Sequence, residues 1–496
     1  MAYKPSFDFP LTPELYAASP VPSLQEWDSL WAAWDAVTQR MITKEELLTK
    51  PIKLRNACIF YLGHIPTFLA LHLDKAGRHD IKGLDAYKRI FERGIDPDVD
   101  NPELCHAHSE IPDEWPPEVE ILDFQAKVRQ HVRAIYSASE RDMNHPVKKA
   151  LWIGFEHEVM HLETLLYMLV QSEKTLPPPG SVIPDFKAMA KAAAAKALPN
   201  KWADVPARTV SLGLNDDDND ETSRRYFGWD NEKPARTTKV RAFSVKARPI
   251  TNGEYLMYLD AAQIDKLPAS WVHTPIQNGV KDHADGVRTN GVMDDTCHQD
   301  KLACGKAVRT VFGLVPLKYA LDWPVMASYD ELLGFAEFHQ GRIPTMEEVK
   351  SIYEYAEELK AKDVENSLGK TIPAVNGHLN KNGVEETPPH KPLVNGASGT
   401  VTDPNPRDLF IDLEGANVGF KHWHPTPVTQ HGDKLLGQSE LGGVWEWTST
   451  VLEKHDGFAP MELYPGYTND FFDGKHNIVL GGSWATHPRI AGRKSL

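Results

Sequence analysis

The chain has 496 residues and a net charge of −15, from 54 Lys and Arg against 69 Asp and Glu, a length that calls for more than one hydrophobic core. The acidic balance argues against a nucleic-acid partner, which needs a basic footprint, and no run of about 18 apolar residues offers a membrane span. Four cysteines without a CxxC pair, and a first segment without an apolar leader, point to a reducing compartment, the cytoplasm.

Residues 1–22 read as an extension. Between residues 23 and 174 four segments repeat apolar residues at helical spacing: LQEWDSLWAAWDAVTQRM, KLRNACIFYLGHIPTFLALHLDKA, EVEILDFQAKVRQHVRAIYSAS and VKKALWIGFEHEVMHLETLLYMLVQS. Pro146 suits the first turn of the last one, whereas Pro66 should open the second locally. Four such segments predict an up-and-down bundle, whose core is a natural place for a metal. Residues 175–201 form a linker, in which Pro177, Pro178, Pro179 and Gly180 end the helix and an Ala-rich stretch forms a short surface helix. From residue 202 to 496 the pattern changes to Gly, Trp and short apolar runs, which predicts an irregular mixed α and β domain. Residues 362–408 look like a flexible insertion, and the acidic run at 216–220 like a solvated loop.

The most informative string is His157-Glu158-Val159-Met160-His161. Histidines at i and i+4 project from one helix face and suit chelation of one metal ion. Two readings compete. HExxH is a zinc-peptidase signature with the glutamate as general base, but the glycine and third histidine of the metzincin continuation are missing. The other reading is a three-histidine site completed from a neighbouring helix. His64, in the apolar stretch YLGHIPTFLALHL, is the preferred third ligand and His72 its rival.

Leu62-Gly63-His64-Ile65, followed by His157-xxx-His161-x-Glu163, resembles the DinB-like domain of the sulfoxide synthases of ergothioneine and ovothiol biosynthesis. The second part agrees independently. Phe227-Gly228-Trp229-Asp230-Asn231-Glu232-Lys233-Pro234, Gly341-Arg342-Ile343-Pro344-Thr345, Gly443-Val444-Trp445-Glu446-Trp447-Thr448 and Gly481-Gly482-Ser483-Trp484-Ala485-Thr486 resemble the formylglycine-generating-enzyme, or sulfatase-modifying-factor, fold, which is C-type-lectin-like. The whole resembles the synthase half of enzymes that fuse a histidine methyltransferase to this module. No glycine-rich nucleotide-binding turn is found here, so a methyltransferase is expected outside these residues, as a domain or a partner upstream in the pathway.

The resemblance implies Fe(II) on His64, His157 and His161, with O2 as co-substrate, and a C–S bond between cysteine and the imidazole of hercynine, leaving a sulfoxide. Histidine as acceptor, as in the ovothiol enzymes, is the alternative. It implies Tyr464 as a catalytic proton or hydrogen donor and Tyr467 as a substrate-binding ring facing the trimethylammonium group. Glu158 and Glu163 should lie off the metal-facing side. The Arg-x-x-Arg pair that holds γ-glutamylcysteine in bacterial relatives is missing between residues 93 and 117, which favours free cysteine. Relatives continue beyond GGSWAT further than this chain does, so an impaired or non-catalytic module is the remaining alternative.

Overall fold

Each long apolar repeat in the first part becomes a helix, and the first and last of the four open on a side-chain cap. The computed structural model describes residues 7–53, 55–79, 81–92, 112–138, 143–216, 226–275, 295–371, 405–435 and 443–495. A short α1 (Pro13–Tyr16) precedes α2 (Leu24–Arg40), which opens on a reciprocal capping box between Ser23 and Glu26. After α3 (Lys44–Leu47) come α4 (Cys58–Lys75), α5 (Leu84–Phe91) and α6 (Glu118–Ser137). Helix α7 (His145–Leu169) starts on Asn144, whose side chain accepts from the Val147 amide at 3.1 Å, with Pro146 in its first turn. The four expected long helices are therefore α2, α4, α6 and α7.

Helix α4 is apolar nearly all round because it is central. It packs on α5, α6 and α7, and α2 covers α7 from another side. Gly154 lets α7 approach α4 closely, since a Cβ there would lie 2.5 Å from Leu69 Cδ1. One expectation fails: α4 runs unbroken through the buried Pro66. The packing on several sides holds the helix despite one missing N–H.

Helix gives way to strand between α8 (Phe186–Ala194) and β1 (Trp202–Val205). The Ala-rich α8 is mostly exposed, as expected of a spacer, but Phe186 anchors it against Trp323 and His424 at ring distances of 5.5 and 5.1 Å. The rest combines short strands and helices: β2 (Arg208–Leu212), β3 (Arg236–Val240), β4 (Phe243–Lys246), α9 (Asn252–Ala261), β5 (Trp271–His273), α10 (Asp295–Ala303), β6 (Lys306–Thr310), β7 (Gly313–Pro316), α11 (Tyr329–Phe338) and α12 (Met346–Thr371). Then follow α13 (Pro406–Leu409), β8 (Trp445–Val451), α14 (Gly466–Asn469), β9 (Asn477–Gly481) and α15 (Pro488–Ala491). Among the described residues the strand pairings are antiparallel: β1 with β4, β2 with β3, β6 with both β5 and β7, and β8 with β9. The β8–β9 pair joins two of the quoted motifs, setting Trp445 opposite Gly481. Most of the expected insertion, and residues 217–220 of the acidic run, lie outside the described residues. No described helix is long and apolar enough to cross a membrane.

The cores do not stop at the helix-to-strand change. Val311, Phe420, Trp484 and Ala485 join the core of the helical part. A second cluster brings Phe68, Trp152 and Ile153 together with Phe227, Trp229 and Met461. That shared core abuts the histidines.

Candidate metal centre

Helix α7 presents His157 and His161 one turn apart, with ring centroids 4.4 Å from each other. The facing α4 delivers His64, whose ring lies 4.9 Å from His157 and 5.0 Å from His161. One ligand atom from each falls within 4.8 Å of the others, and this is the one such group of three or more ligand side chains among the described residues. His72 is not part of it. It sits two turns further along α4, buried against Phe68 at 4.3 Å.

The surroundings prepare these rings for a metal. Nδ1 of His64 donates to the Phe91 carbonyl at 2.8 Å, which leaves its Nε2 bare and turned toward His157 Nε2 at 3.2 Å. Phe60 stacks on His64 at 5.0 Å, and Phe68 on His157 at 3.6 Å and 11°. Burial holds all three rings neutral: it lowers His64 to about 4 and His157 and His161 well below the usual histidine value, assisted by their mutual proximity. Nδ1 of His157 and Nδ1 of His161 are buried without a hydrogen-bond partner. Three neutral, converging imidazoles in an apolar wall fit a divalent first-row metal ion.

Gly63 explains part of this arrangement. A Cβ there would meet the Phe91 ring at 2.5 Å, so glycine is what allows α5 to bring the Phe91 carbonyl to His64. Gly63→Ala should lower the melting temperature, because overpacking costs about 1–3 kcal/mol and outweighs the helix preference of alanine. It should also weaken metal binding by roughly tenfold or more through the displaced His64 partner. Metal titration of the variant checks this, and an unchanged affinity would show that the Phe91 contact does not matter.

Tyr464 packs against Phe68, the ring that stacks on His157, and Tyr467 lies beside Tyr464. The Tyr464 ring is 5.4 Å from Phe68 and 6.3 Å from His72. Tyr467 reaches Met160 Sδ with its hydroxyl at 3.8 Å and lies against Trp229 at 4.1 Å. Its ring is 5.8 Å from that of Tyr464.

Three carboxylates on α7 frame the histidines, and none joins the cluster. Glu158 is buried, with Arg129 and Asp35 as its charged neighbours and a hydrogen bond from Trp31; burial raises it to about 7. Glu163 accepts from Trp445 Nε1 at 2.7 Å, from Thr486 Oγ1 at 2.8 Å and from the Ser483 hydroxyl. Glu156, which the sequence pattern did not single out, accepts from the indoles of Trp152 and Trp229, each at 2.7 Å, and pairs with Arg493. The one sequence signal for it is a lone carboxylate within the apolar run LWIGFEH. Through Glu156 and Glu163 the motifs of the second part close onto the helix that carries His157 and His161.

A three-histidine group on packed helices, clamped by a strand-bearing second part, is a candidate metal centre that residues of both parts surround. No protein-family model matches the chain. It is 56% identical, over 99% of its length, to ergothioneine biosynthesis protein 1 of Neurospora crassa, of which it covers 57%. It is 32% identical, over 96% of its length, to the protein of the same name from Schizosaccharomyces pombe, of which it covers 54%. A hercynine oxygenase of Mycobacterium tuberculosis is 28% identical over 53% of this chain and 50% of its own. The chain is thus a relative of ergothioneine biosynthesis protein 1, and it spans a little over half the length of the two relatives of that name.

Proposed function

We propose that this chain is the sulfoxide-synthase part of an ergothioneine-forming enzyme, which uses Fe(II) and O2 to join the sulfur of cysteine to the imidazole of hercynine. The observation that carries the reading is the convergence of His64, His157 and His161 in a chain aligned along nearly its whole length with proteins named for ergothioneine biosynthesis. The name hercynine oxygenase on a more distant relative supplies the acceptor and the oxidant. The expected layout, a DinB-like helical unit followed by a formylglycine-generating-enzyme-like unit, belongs to the same proposal, as do a cytoplasmic location and a methyltransferase acting upstream.

Fe(II) held by the three imidazoles would supply a redox-active centre with positions open to substrate and oxygen. In the overall balance the imidazole loses its C–H and the thiol its S–H. One oxygen atom becomes the sulfoxide and the other leaves as water, so the two substrates supply all the electrons. The chain's own residues orient and exclude. The Phe60 and Phe68 faces fix the ligand rings and keep water off them. Tyr464, packed against Phe68, is the proposed proton or hydrogen donor, and Tyr467 the ring for the trimethylammonium group.

The zinc-peptidase reading needs Glu158 as a base beside the metal, whereas its carboxyl is engaged with Trp31, Arg129 and Asp35. Tyr464→Phe should keep full iron binding and lose about a hundredfold or more in rate of sulfoxide formation. The assay is anaerobic loading with Fe(II), addition of cysteine, acceptor and O2, and mass analysis of the product. Hercynine should be consumed in preference to histidine, and free cysteine in preference to γ-glutamylcysteine. Oxygen uptake without a C–S product would refute the reading, and a preference for histidine would move the chain to the ovothiol type.

A further inference from the structure

The carboxylate of Glu156 is completely buried, immediately before ligand His157. A buried acid is costly unless hydrogen bonds and charge offset it; packing alone would be served better by an apolar side chain. Here it collects three donors: Trp152 from one turn earlier on α7, Trp229 from the second part of the chain, and Arg493. Arg493 is shared with Glu232 at 3.5 Å and with the Phe227 carbonyl at 3.0 Å.

Trp229 is a two-sided piece. Its N–H is fixed by Glu156, and its face carries Tyr467 at 4.1 Å and 30°. The next residue, Asp230, takes the hydroxyl of Thr468, so two consecutive residues hold the tyrosine segment. From Tyr467 the contacts run to Tyr464 at 5.8 Å, to Phe68 at 5.4 Å and to His157 at 3.6 Å. The path leaves α7 at Glu156 and returns to it at His157.

We infer that Glu156 is a positioning residue: by holding the Trp229 indole it sets the height of the Tyr464–Tyr467 segment against Phe68, the ring stacked on His157. The catalytic meaning of that height rests on the function proposed above, but the positioning itself does not. Displacement of a reacting group by about 1 Å can cost on the order of a hundredfold in rate, so a fixed path between two adjacent residues of one helix has a chemical use.

Two variants of the full chain test this. Glu156→Gln removes the charge and weakens the three-donor node. Trp229→Phe keeps an aromatic face for Tyr467 and deletes the one N–H that binds Glu156. In metal-free protein, amide hydrogen exchange of residues 462–472 should rise about tenfold in both variants while exchange in α4 stays as in the parent chain. The double variant should do no more than either single one, since both cut the same link. In iron-loaded protein both should keep full metal stoichiometry, with kcat down about tenfold and KM for each substrate within about twofold. Unchanged exchange at 462–472, additive effects, or exchange rising equally through α4 and α7 would each overturn the proposal. Were the parent chain inactive as a sulfoxide synthase, the function would fall while the exchange measurement still decided the positioning.

Discussion

His157→Ala should reduce Fe(II) binding from about one equivalent to below a tenth under anaerobic titration. His161→Ala and His64→Ala should do the same, with sulfoxide formation falling by at least about a thousandfold in each. The basis is geometric: the three ligand atoms form one group within 4.8 Å, and two remaining imidazoles cannot replace the chelation that the third completes. His72→Ala is the control. His72 is as buried as His64 and shares its helix, so a merely generic loss from emptying a core histidine would appear in both. It should cost stability and leave the metal in place. A His72→Ala protein without metal, beside a His64→Ala protein that retains it, would reverse the ligand assignment.

The largest effect on stability should come from Arg493. Its side chain is 2% exposed and stands between the fully buried carboxylates of Glu156 and Glu232. It also bonds the Phe227 carbonyl at 3.0 Å and lies over the Phe410 ring at 5.4 Å. Arg493→Ala strands two buried acids beside each other, and breaking such a pairing by removing one partner typically costs about 3–5 kcal/mol. Urea unfolding of the metal-free chain, followed by tryptophan fluorescence, measures it. Combining Arg493→Met with Glu156→Gln should recover a good part of the loss, because one of the stranded charges is then gone. A loss below about 1 kcal/mol for Arg493→Ala would mean that water or a rearrangement satisfies both carboxylates. The same residue joins the two parts of the chain at the helix that carries His157 and His161, so its loss should lower metal affinity as well.

The helices and the histidine pair were legible because their signals are local. A period of 3.6 residues marks α2, α4, α6 and α7 in the sequence, and i to i+4 spacing puts His157 and His161 on one face. The choice of His64 over His72 was not local. Both lie on the apolar α4, and what separates them is that Gly63 admits Phe91, whose carbonyl fixes the His64 tautomer. Pro66 misled for the converse reason: propensity foresees a break, while packing on several sides preserves the helix.

The clamps were the least legible part. Glu163 could be assigned to a face other than that of the ligands, but not to Trp445, Ser483 and Thr486, which are between 282 and 323 residues away in sequence. Glu156 meets Trp229 across 73 residues and Arg493 across 337. No periodicity encodes such partners; only the tertiary fold brings them together. The motifs that carry Trp229, Trp445 and Ser483 stood out in sequence as family strings, and in the structure these residues bond Glu156 and Glu163 of α7, with Trp229 also packing on Tyr467.

The function proposed above requires that the three-histidine centre hold iron for oxygen chemistry. The most direct test is elemental analysis of the chain purified without oxygen and without added metal, beside His157→Ala prepared identically. About one iron is expected per parent chain and none in the variant: the three imidazoles suit any divalent first-row ion, and the likeness to a hercynine oxygenase selects iron among them. Stoichiometric zinc in the parent chain, or iron that persists in His157→Ala, would contradict it.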